Sequence, residues 1–306
     1  MVETTKITIW EVGPRDGLQN ESKRVSPQVR AELVARLAQA GLGHIEVGAF
    51  VSPKAVPQMA GTDQVFAELA ERDLPSGLVL SALVPNERGL EYARGAGLRE
   101  IAIFTAASDE FNLKNINTNI EGSFARLGPV VRQALAEGMR VRAYLSTVVE
   151  CPYEGKVSPQ KVAELAARLL ELGCYQVSLG ETLGVAVPAE IEAVVEACLA
   201  VATPEKLALH LHDTYGTALA SAMVGLRMGI TTFDTSAGGL GGCPFAPGAA
   251  GNLATEDLVY ALRRLGYETR VDLKELVEAT RFIHQHLSHP PRSRAWQALQ
   301  GKSCPD

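Results

Sequence analysis

The sequence predicts an α/β fold, a (β/α)8 TIM barrel followed by an appended C-terminal helical segment. Eight stretches with the alternating or continuous apolar character of strands are each followed by a stretch with helical character. A repeating unit of about 30 residues suits a closed barrel of this kind. Several glycines end predicted helices shortly before a strand, as left-handed C-caps do: Gly41, Gly97, Gly138, Gly173 and Gly229. An open doubly wound sheet would need a glycine-rich phosphate turn after its first strand, and residues 13–19 (GPRDGLQ) do not supply one.

The first half of the chain supplies four strand–helix units. Its strands are predicted at residues 7–13, 44–50, 78–84 and 100–106. The first helix begins after Ser26, a favourable N-cap, has Pro27 at its first position, and ends at Gly41. Further helices are predicted at residues 62–72, 86–95 and 121–137. Residues 109–120 (DEFNLKNINTNI) are predicted to form a loop because Asn favours turns over helix interiors.

The second half repeats the alternation four more times. Its strands are predicted at residues 140–146, 175–181 and 231–237, with one more that begins at residue 207. The helices between them are predicted at residues 159–172, 188–202 and 214–228. The pattern after residue 255 indicates the eighth barrel helix and one appended helix. We expect a single catalytic domain, with the barrel over about 7–266, the C-terminal helix over about 272–288, and a mobile tail over 289–306.

Composition limits the classes of partner and compartment. Of the 306 residues, 46% are hydrophobic and 21% are charged, which is enough apolar material for a large core. The net charge of −6 and the absence of a Lys/Arg cluster argue against nucleic acid as a partner. The 5 cysteines are widely spaced and form no CxxC pair, which favours a reducing compartment. We expect a soluble cytoplasmic protein, because the N-terminus resembles no targeting segment and no apolar run is long enough for a membrane helix.

A histidine pair at the end of the seventh strand is the most informative motif. His210 and His212 lie two residues apart in an alternating run, so both imidazoles should face the same side of the strand. Asp213 then breaks the apolar pattern, which places the pair at the strand's carboxyl end, where barrel enzymes have their active sites. A buried core histidine and a loop cap are the alternative interpretation. Two neutral imidazoles that converge at a strand end favour a divalent metal site.

Polar residues also follow other predicted strands. Arg15 and Asp16 follow the first strand; they could form a surface ion pair, but their position favours a ligand role for Asp16. Glu46 lies in an apolar run, where a buried carboxylate needs a partner such as Arg15 or the metal shell. Cys243, in a glycine-dense loop after the last strand, could be inert or could donate a proton. The other strand-end candidates are Gln19, Glu181 and Asn252, while Cys151, Cys174 and Cys198 are predicted to be structural.

The predicted ligand set indicates the metal and the class of reaction. Two imidazoles combined with an aspartate and an asparagine suit Mg²⁺ or Mn²⁺ with open water positions, rather than a closed structural zinc site. An open divalent ion acidifies a bound hydroxyl and polarises a carbonyl. Arg15 beside it would stabilise an enolate oxygen. The residues therefore favour carbon–carbon cleavage or formation through an enolate.

Six motifs together resemble the 3-hydroxy-3-methylglutaryl-CoA (HMG-CoA) lyase family over about residues 7–285. They are RDGLQNE (15–21), AFVSPK (49–54), KNIN (114–117), CPYEG (151–155), HLHDTYG (210–216) and GGLGGCPFAPGAAGNLATED (238–257). Related barrel synthases share the RDG and HxH motifs but lack the cysteine loop, so that loop is the most specific of the six. The resemblance implies cleavage of HMG-CoA to acetyl-CoA and acetoacetate, hence an acyl-CoA ligand, a homodimer, and a place in leucine degradation and ketone body formation.

The resemblance also implies a role for each matching residue. The metal ligands would be Asp16, His210, His212 and Asn252. Arg15 would stabilise the enolate of the departing acetyl-CoA, Cys243 would take part in proton transfer to it, and Glu46 would support Arg15 and the ligands. Gln19, Lys114 and Asn115 would contact the substrate.

Two residues depart from the family pattern. Glu181 stands where the family has an aspartate that assists proton removal from the substrate hydroxyl, and Ala49 replaces a more usual Ser. Because a small displacement of a catalytic group is costly, Glu181 would alter turnover or substrate range. Three alternatives to the HMG-CoA lyase remain: a lyase for a longer 3-hydroxyacyl-CoA, a Claisen-type synthase, and a silent acyl-CoA-binding or metal-storage protein.

Overall fold

Eight parallel strands close into a barrel, which confirms the predicted fold class. The structure is a computed structural model and describes residues 6–242 and 250–300. The barrel strands are β1 (Thr8–Glu11), β2 (His44–Ala49), β3 (Val79–Leu83), β4 (Glu100–Ala106), β5 (Arg140–Ser146), β6 (Gln176–Glu181), β7 (Leu207–Leu211) and β8 (Thr232–Thr235). Their order around the barrel is β1-β8-β7-β6-β5-β4-β3-β2, and β2 pairs with β1 to close it.

Helices follow the strands and cover the outside of the barrel. They are α1 (Pro27–Gln39), α2 (Thr62–Ala70), α3 (Glu87–Gly95), α4 (Asp109–Ile116), α5 (Ile120–Ala136), α6 (Pro159–Glu171), α7 (Pro188–Leu199), α8 (Ala218–Arg227), α9 (Thr255–Arg264), α10 (Leu273–His284) and α11 (Arg294–Leu299). As predicted, α1 begins with Ser26 as N-cap and Pro27 at N1. After it, Gly41 has φ 93°, and a Cβ there would lie 2.1 Å from the Arg270 carbonyl oxygen, so this helix end requires glycine. In the described part of the chain, no helix has both the length and the apolar character needed to cross a bilayer.

The barrel interior is polar beneath the mouth, whereas the layer between strands and helices is apolar. Arg142 in β5 and Asp234 in β8 form a bidentate ion pair across the interior, with both side chains almost fully buried. Nε of Arg142 also donates a hydrogen bond to the side-chain oxygen of Gln176. Cζ of Arg142 lies 5.0 Å from the Trp10 ring centre. A buried ion pair is stable only when its remaining hydrogen-bonding capacity is met, as it is here. This network forms the floor beneath the strand ends.

The predicted loop at residues 109–120 is wrong, because its first two turns form helix α4. The Ser108 side chain accepts a hydrogen bond from the Phe111 N–H and so caps the helix. Asn112 is fully buried, and its side chain bonds both the N–H and the carbonyl of Ala106 at the end of β4. Tertiary hydrogen bonds therefore outweigh the weak helix propensity of the asparagines.

The segment predicted as a mobile tail contains helix α11 in its described part, which ends at residue 300. Helix α11 packs on the barrel, with Ser293 as its N-cap and the Asp257 carboxylate accepting from the Ser293 hydroxyl and the Ala295 N–H. Trp296 is 8% exposed, and its indole N–H donates to the Val277 carbonyl. Trp296 therefore acts as an apolar anchor that no periodic pattern in this segment indicates.

Replacing Trp296 by Ala is expected to lower the free energy of unfolding by about 3 kcal/mol, because a large buried side chain and a hydrogen bond are both lost. Equilibrium unfolding in urea measures this. Leu265→Ala, at a position 59% exposed, is the matched control and should change stability by less than about 0.5 kcal/mol. If Trp296→Ala lowers the free energy of unfolding as little as the control does, Trp296 does not stabilise the fold.

Candidate active site

A buried glutamate fixes the two loops that carry much of the site. Glu11, at the end of β1, accepts hydrogen bonds from the N–H of Gly13 and of Ala237, each 2.9 Å long, and from the Thr255 hydroxyl at 2.6 Å. It thereby joins the π-helical turn after β1 (Gly13–Gly17) to the segment after β8. Burial raises the pKa of Glu11 to about 7, although its three hydrogen bonds act in the opposite direction. The turn places the predicted Arg–Asp pair at the barrel mouth.

The four predicted metal ligands meet at this mouth. Oδ2 of Asp16 lies 3.8 Å from Nε2 of His210 and 3.9 Å from Nε2 of His212. Candidate ligand atoms of these three residues all lie within 4.8 Å of one another. The Asn252 amide nitrogen donates to the same Asp16 oxygen at 2.8 Å. Residues that are 236 positions apart in the chain therefore share one small volume.

Backbone pairing holds Asn252 against the histidine strand. Asn252 forms an antiparallel bridge with His212, and the Leu253 N–H donates to the Leu211 carbonyl at 2.8 Å. The neighbouring Gly251 is needed for this approach, since a Cβ there would lie 2.5 Å from the Gly239 carbonyl oxygen.

The donor set fits a divalent cation. Oδ1 of Asn252 is buried and has no hydrogen-bond partner in the described parts of the chain, so it is free to act as a ligand. Burial, together with neighbouring His210, lowers the pKa of His212 to about 4, so this imidazole is neutral at pH 7. Burial alone would raise the pKa of Asp16, but Arg15 and both imidazoles hold it well below its usual range. One carboxylate, two imidazoles and one amide oxygen suit Mg²⁺ or Mn²⁺.

Arg15 is held between two carboxylates. Its Nε donates to Oε2 of Glu46, its Nη1 donates to Oδ1 of Asp16 at 2.6 Å, and its Cζ lies 5.0 Å from the Tyr144 ring centre. Glu46 faces inward, as predicted, and is fully buried. Burial raises the pKa of Glu46 while the Arg15 charge opposes the rise. Across residues 6–242 and 250–300, no partner bonds Nη2 of Arg15, which leaves this donor for a ligand in the pocket.

A cavity of about 300 Å³ opens above these residues. Its polar wall includes two of the predicted substrate contacts, Gln19 and Asn115. The third, Lys114, is exposed on α4 and is not part of the wall. Apolar side chains form much of the remaining wall: Val51, Val56, Leu83, Phe104, Phe111 and Ile116. Cys243 lies outside the described residues.

The structure does not bring Glu181 into this cavity. In β6, Ser178 points into the barrel and Gly180 lines the cavity, so the alternation of the strand turns Glu181 the other way. The Glu181 carboxylate instead accepts the Val185 N–H, with further backbone amides of residues 183–186 around it. Burial raises the pKa of Glu181 to about 7 and these amides oppose the rise. This geometry supports a role in shaping the loop after β6.

Glu181→Gln is expected to lower kcat by less than about tenfold, because loss of a general base typically costs 10²–10⁴-fold and this side chain faces away from the cavity. Gln keeps one oxygen to accept the Val185 N–H. Steady-state kinetics would measure the effect, with Glu181→Asp as the variant that tests chain length. A fall of about 10³-fold in the Gln variant would restore Glu181 as the base.

Sequence reasoning missed Asp234 and Tyr144. Asp234 lies within the eighth strand, where a lone charged residue in an apolar run is the same signal that identified Glu46. Oδ2 of its carboxylate lies 3.3 Å from Nδ1 of His210. Tyr144 lines the cavity, and its ring centre lies 5.0 Å from Cζ of Arg15 and 5.2 Å from Cζ of Arg142. In the sequence, the alternating pattern of β5 does not distinguish Tyr144 from an ordinary buried aromatic residue.

Comparisons with known proteins agree with this geometry. The HMGL-like family model matches residues 6–283. The hydroxymethylglutaryl-CoA lyase of Pseudomonas mevalonii is 49% identical over 298 residues, which are 97% of this chain and 98% of that protein. The 3-hydroxy-3-isohexenylglutaryl-CoA/hydroxymethylglutaryl-CoA lyase of Pseudomonas aeruginosa is 47% identical over 298 residues, which again are 97% of this chain and 98% of that protein. A structure of an HMG-CoA lyase from Acinetobacter baumannii, in complex with coenzyme A and 3-methylmalate, has a TM-score of 0.92 and 34% identity, and covers 100% of this chain and 99% of that one.

These relatives cover almost the whole chain, and their names confirm the predicted enzyme class, a carbon–carbon lyase. The match spans the barrel and every described residue of the site. The chain therefore belongs to the HMGL-like family.

Proposed function

We propose that this protein is a divalent-metal-dependent lyase that cleaves HMG-CoA to acetyl-CoA and acetoacetate. One observation carries the proposal: Asp16, His210, His212 and Asn252 converge beside Arg15 at the base of a cavity. The hydroxymethylglutaryl-CoA lyases to which the chain is similar support the substrate, and the coenzyme A complex of one of them supports an acyl-CoA ligand.

The metal site would accept Mg²⁺ or Mn²⁺ through the four converging residues. Bound there, the cation would acidify the substrate's tertiary hydroxyl and so favour the loss of its proton. Asn252 would contribute its free Oδ1, and both imidazoles would contribute Nε2. The neutral state of His212 at pH 7 keeps its lone pair available.

Arg15 would stabilise the negative charge that forms on the acetyl-CoA enolate when the carbon–carbon bond breaks. Glu46 and Asp16 hold two of its nitrogens, so the third, Nη2, is presented to the cavity without further ordering. A donor that is already aligned when charge develops lowers the barrier more than a flexible one. The enolate then needs a proton, for which the family resemblance proposes the Cys243 thiol.

A 3-hydroxyacyl-CoA with a longer substituent at carbon 3 is the second candidate substrate. The apolar wall formed by Val51, Leu83 and Phe104 could accept more than a methyl group. The relative named for 3-hydroxy-3-isohexenylglutaryl-CoA supports this possibility. A homodimer and a place in leucine degradation and ketone body formation remain predictions from the family resemblance. A cytoplasmic location remains a prediction from the sequence.

The function is tested by incubating the protein with HMG-CoA and measuring acetoacetate, with Mg²⁺, with Mn²⁺, and after treatment with a chelator. We expect product only with a divalent metal. A parallel reaction with 3-hydroxy-3-isohexenylglutaryl-CoA separates the two candidate substrates. Cleavage of that thioester alone would move the assignment to it, and cleavage of neither would favour a silent binding protein.

A further inference from the structure

A second carboxylate lies behind the metal-facing histidine. His210 in β7 and Asp234 in β8 are directly paired in the sheet register, so both side chains point into the barrel. Nδ1 of His210 lies 3.3 Å from Oδ2 of Asp234, while Nε2 on the far side of the ring lies 3.8 Å from Oδ2 of Asp16. Nδ1 has no aligned hydrogen bond among the described residues, so its approach to Asp234 is a close contact with the carboxylate.

Asp234 is held firmly and remains ionised. Arg142 donates to both of its oxygens, at 2.7 and 3.2 Å, and the Ser178 hydroxyl donates to Oδ2 at 2.6 Å. The buried, bidentate ion pair with Arg142 holds this group as a carboxylate. An ionised carboxylate only accepts hydrogen bonds. The nitrogen that faces it is therefore stable only as an N–H.

We propose that Asp234 is a positioning residue that keeps His210 in the Nδ1–H tautomer, so that the Nε2 lone pair faces the metal site. A neutral imidazole carries one donor and one acceptor nitrogen, and the partner of one nitrogen decides the state of the other. This inference rests on the metal site of the proposed function. His212 provides an internal comparison: Nδ1 of neither ring has a hydrogen bond among the described residues, but only Nδ1 of His210 faces a carboxylate there.

Asp234→Asn reverses the polarity of this contact. The two Arg142 donors will attract the new amide oxygen, so the amide nitrogen turns towards Nδ1 of His210 and donates to it. The favoured tautomer of His210 then becomes Nε2–H, which cannot bind a metal. Ser178→Ala is the matched control, because it removes one hydrogen bond from the same carboxylate oxygen without presenting a donor to the histidine.

The experiment reads the tautomer and the metal affinity separately. Long-range ¹⁵N–¹H NMR of metal-free protein, with His210 assigned through the signals lost in His210→Ala, should show Nδ1–H in the wild type and in Ser178→Ala. In Asp234→Asn it should show Nε2–H, with no change at His212. Mn²⁺ titration followed by EPR should show an affinity about 10- to 100-fold lower in Asp234→Asn and little change in Ser178→Ala.

Three results would overturn the inference: an Nε2–H ring in the wild type, wild-type Mn²⁺ affinity in a folded Asp234→Asn protein, or an equal loss in Ser178→Ala. Thermal unfolding establishes that each variant is folded. If Asp234→Asn does not fold, the NMR measurement of the His210 tautomer in the wild-type protein decides whether the inference stands. No readout uses substrate, so a failure to cleave HMG-CoA would overturn the proposed function and leave this inference standing. A wild-type protein that binds no Mn²⁺ would overturn the metal site, and the tautomer would still decide the role of Asp234.

Discussion

Replacing Arg15 by Gln is expected to lower kcat for HMG-CoA cleavage by about 10³-fold, the upper range for loss of one aligned donor to a developing oxyanion. Divalent-metal affinity should change little, because the four converging ligands remain. The effect should appear mainly in kcat, since the charge that Arg15 stabilises forms only as the carbon–carbon bond breaks. Steady-state kinetics with HMG-CoA and Mn²⁺ titration of the same preparation measure the two quantities.

The single variant also leaves Glu46 buried without its cation, which destabilises a fold by about 3–5 kcal/mol. A double variant, Arg15→Gln with Glu46→Gln, removes that uncompensated charge. We expect it to regain thermal stability while kcat stays low. If turnover recovers together with stability, Arg15 acts through the fold. If metal is lost in the single variant, its role is to hold Asp16.

Much of the fold and half of the site follow from simple periodicity. Alternation places His210 and His212 on one face of a strand, and the break at Asp213 places them at its carboxyl end. Because every strand of a parallel barrel presents its carboxyl end at the same mouth, Asp16 joins them without further information. Asn252 is different. Its place after the last strand made it a candidate, but it lies in a loop whose path no local pattern determines, and the family resemblance gave it the role of a ligand.

The errors share one cause, the neglect of tertiary partners. Its position at the end of β6 made Glu181 a candidate, whereas alternation from Ser178, which faces the interior, turns Glu181 away from the cavity. Asp234 carries the same local signal as Glu46, but its partner Arg142 is 92 residues away and no local pattern joins the two. The Asn-rich turns of α4 and the helix around Trp296 likewise depend on contacts with distant segments. Local propensity is a weak guide where buried hydrogen bonds decide the structure.

Replacing His212 by Ala is expected to weaken Mn²⁺ binding by about 10²-fold or more, because the change removes a ligand itself, whereas loss of a supporting partner already costs 10–100-fold. His212 is buried and its Nε2 faces Asp16, so no solvent-exposed group can replace it. Turnover should be lost at low metal concentration and recover in part as Mn²⁺ is raised. This pattern is the opposite of that expected for Arg15→Gln, which should bind metal normally and remain slow at any concentration.

His286→Ala provides the matched control, since His286 packs on Phe282 in α10 and does not line the cavity. It should bind Mn²⁺ as the wild type does. Metal binding is read by EPR without substrate, so the result does not depend on which acyl-CoA the enzyme prefers. If His212→Ala retains Mn²⁺ while Arg15→Gln releases it, the two roles must be exchanged. If neither variant alters metal binding, the cation lies elsewhere, and the convergence of Asp16, Asn252 and the two imidazoles has another purpose.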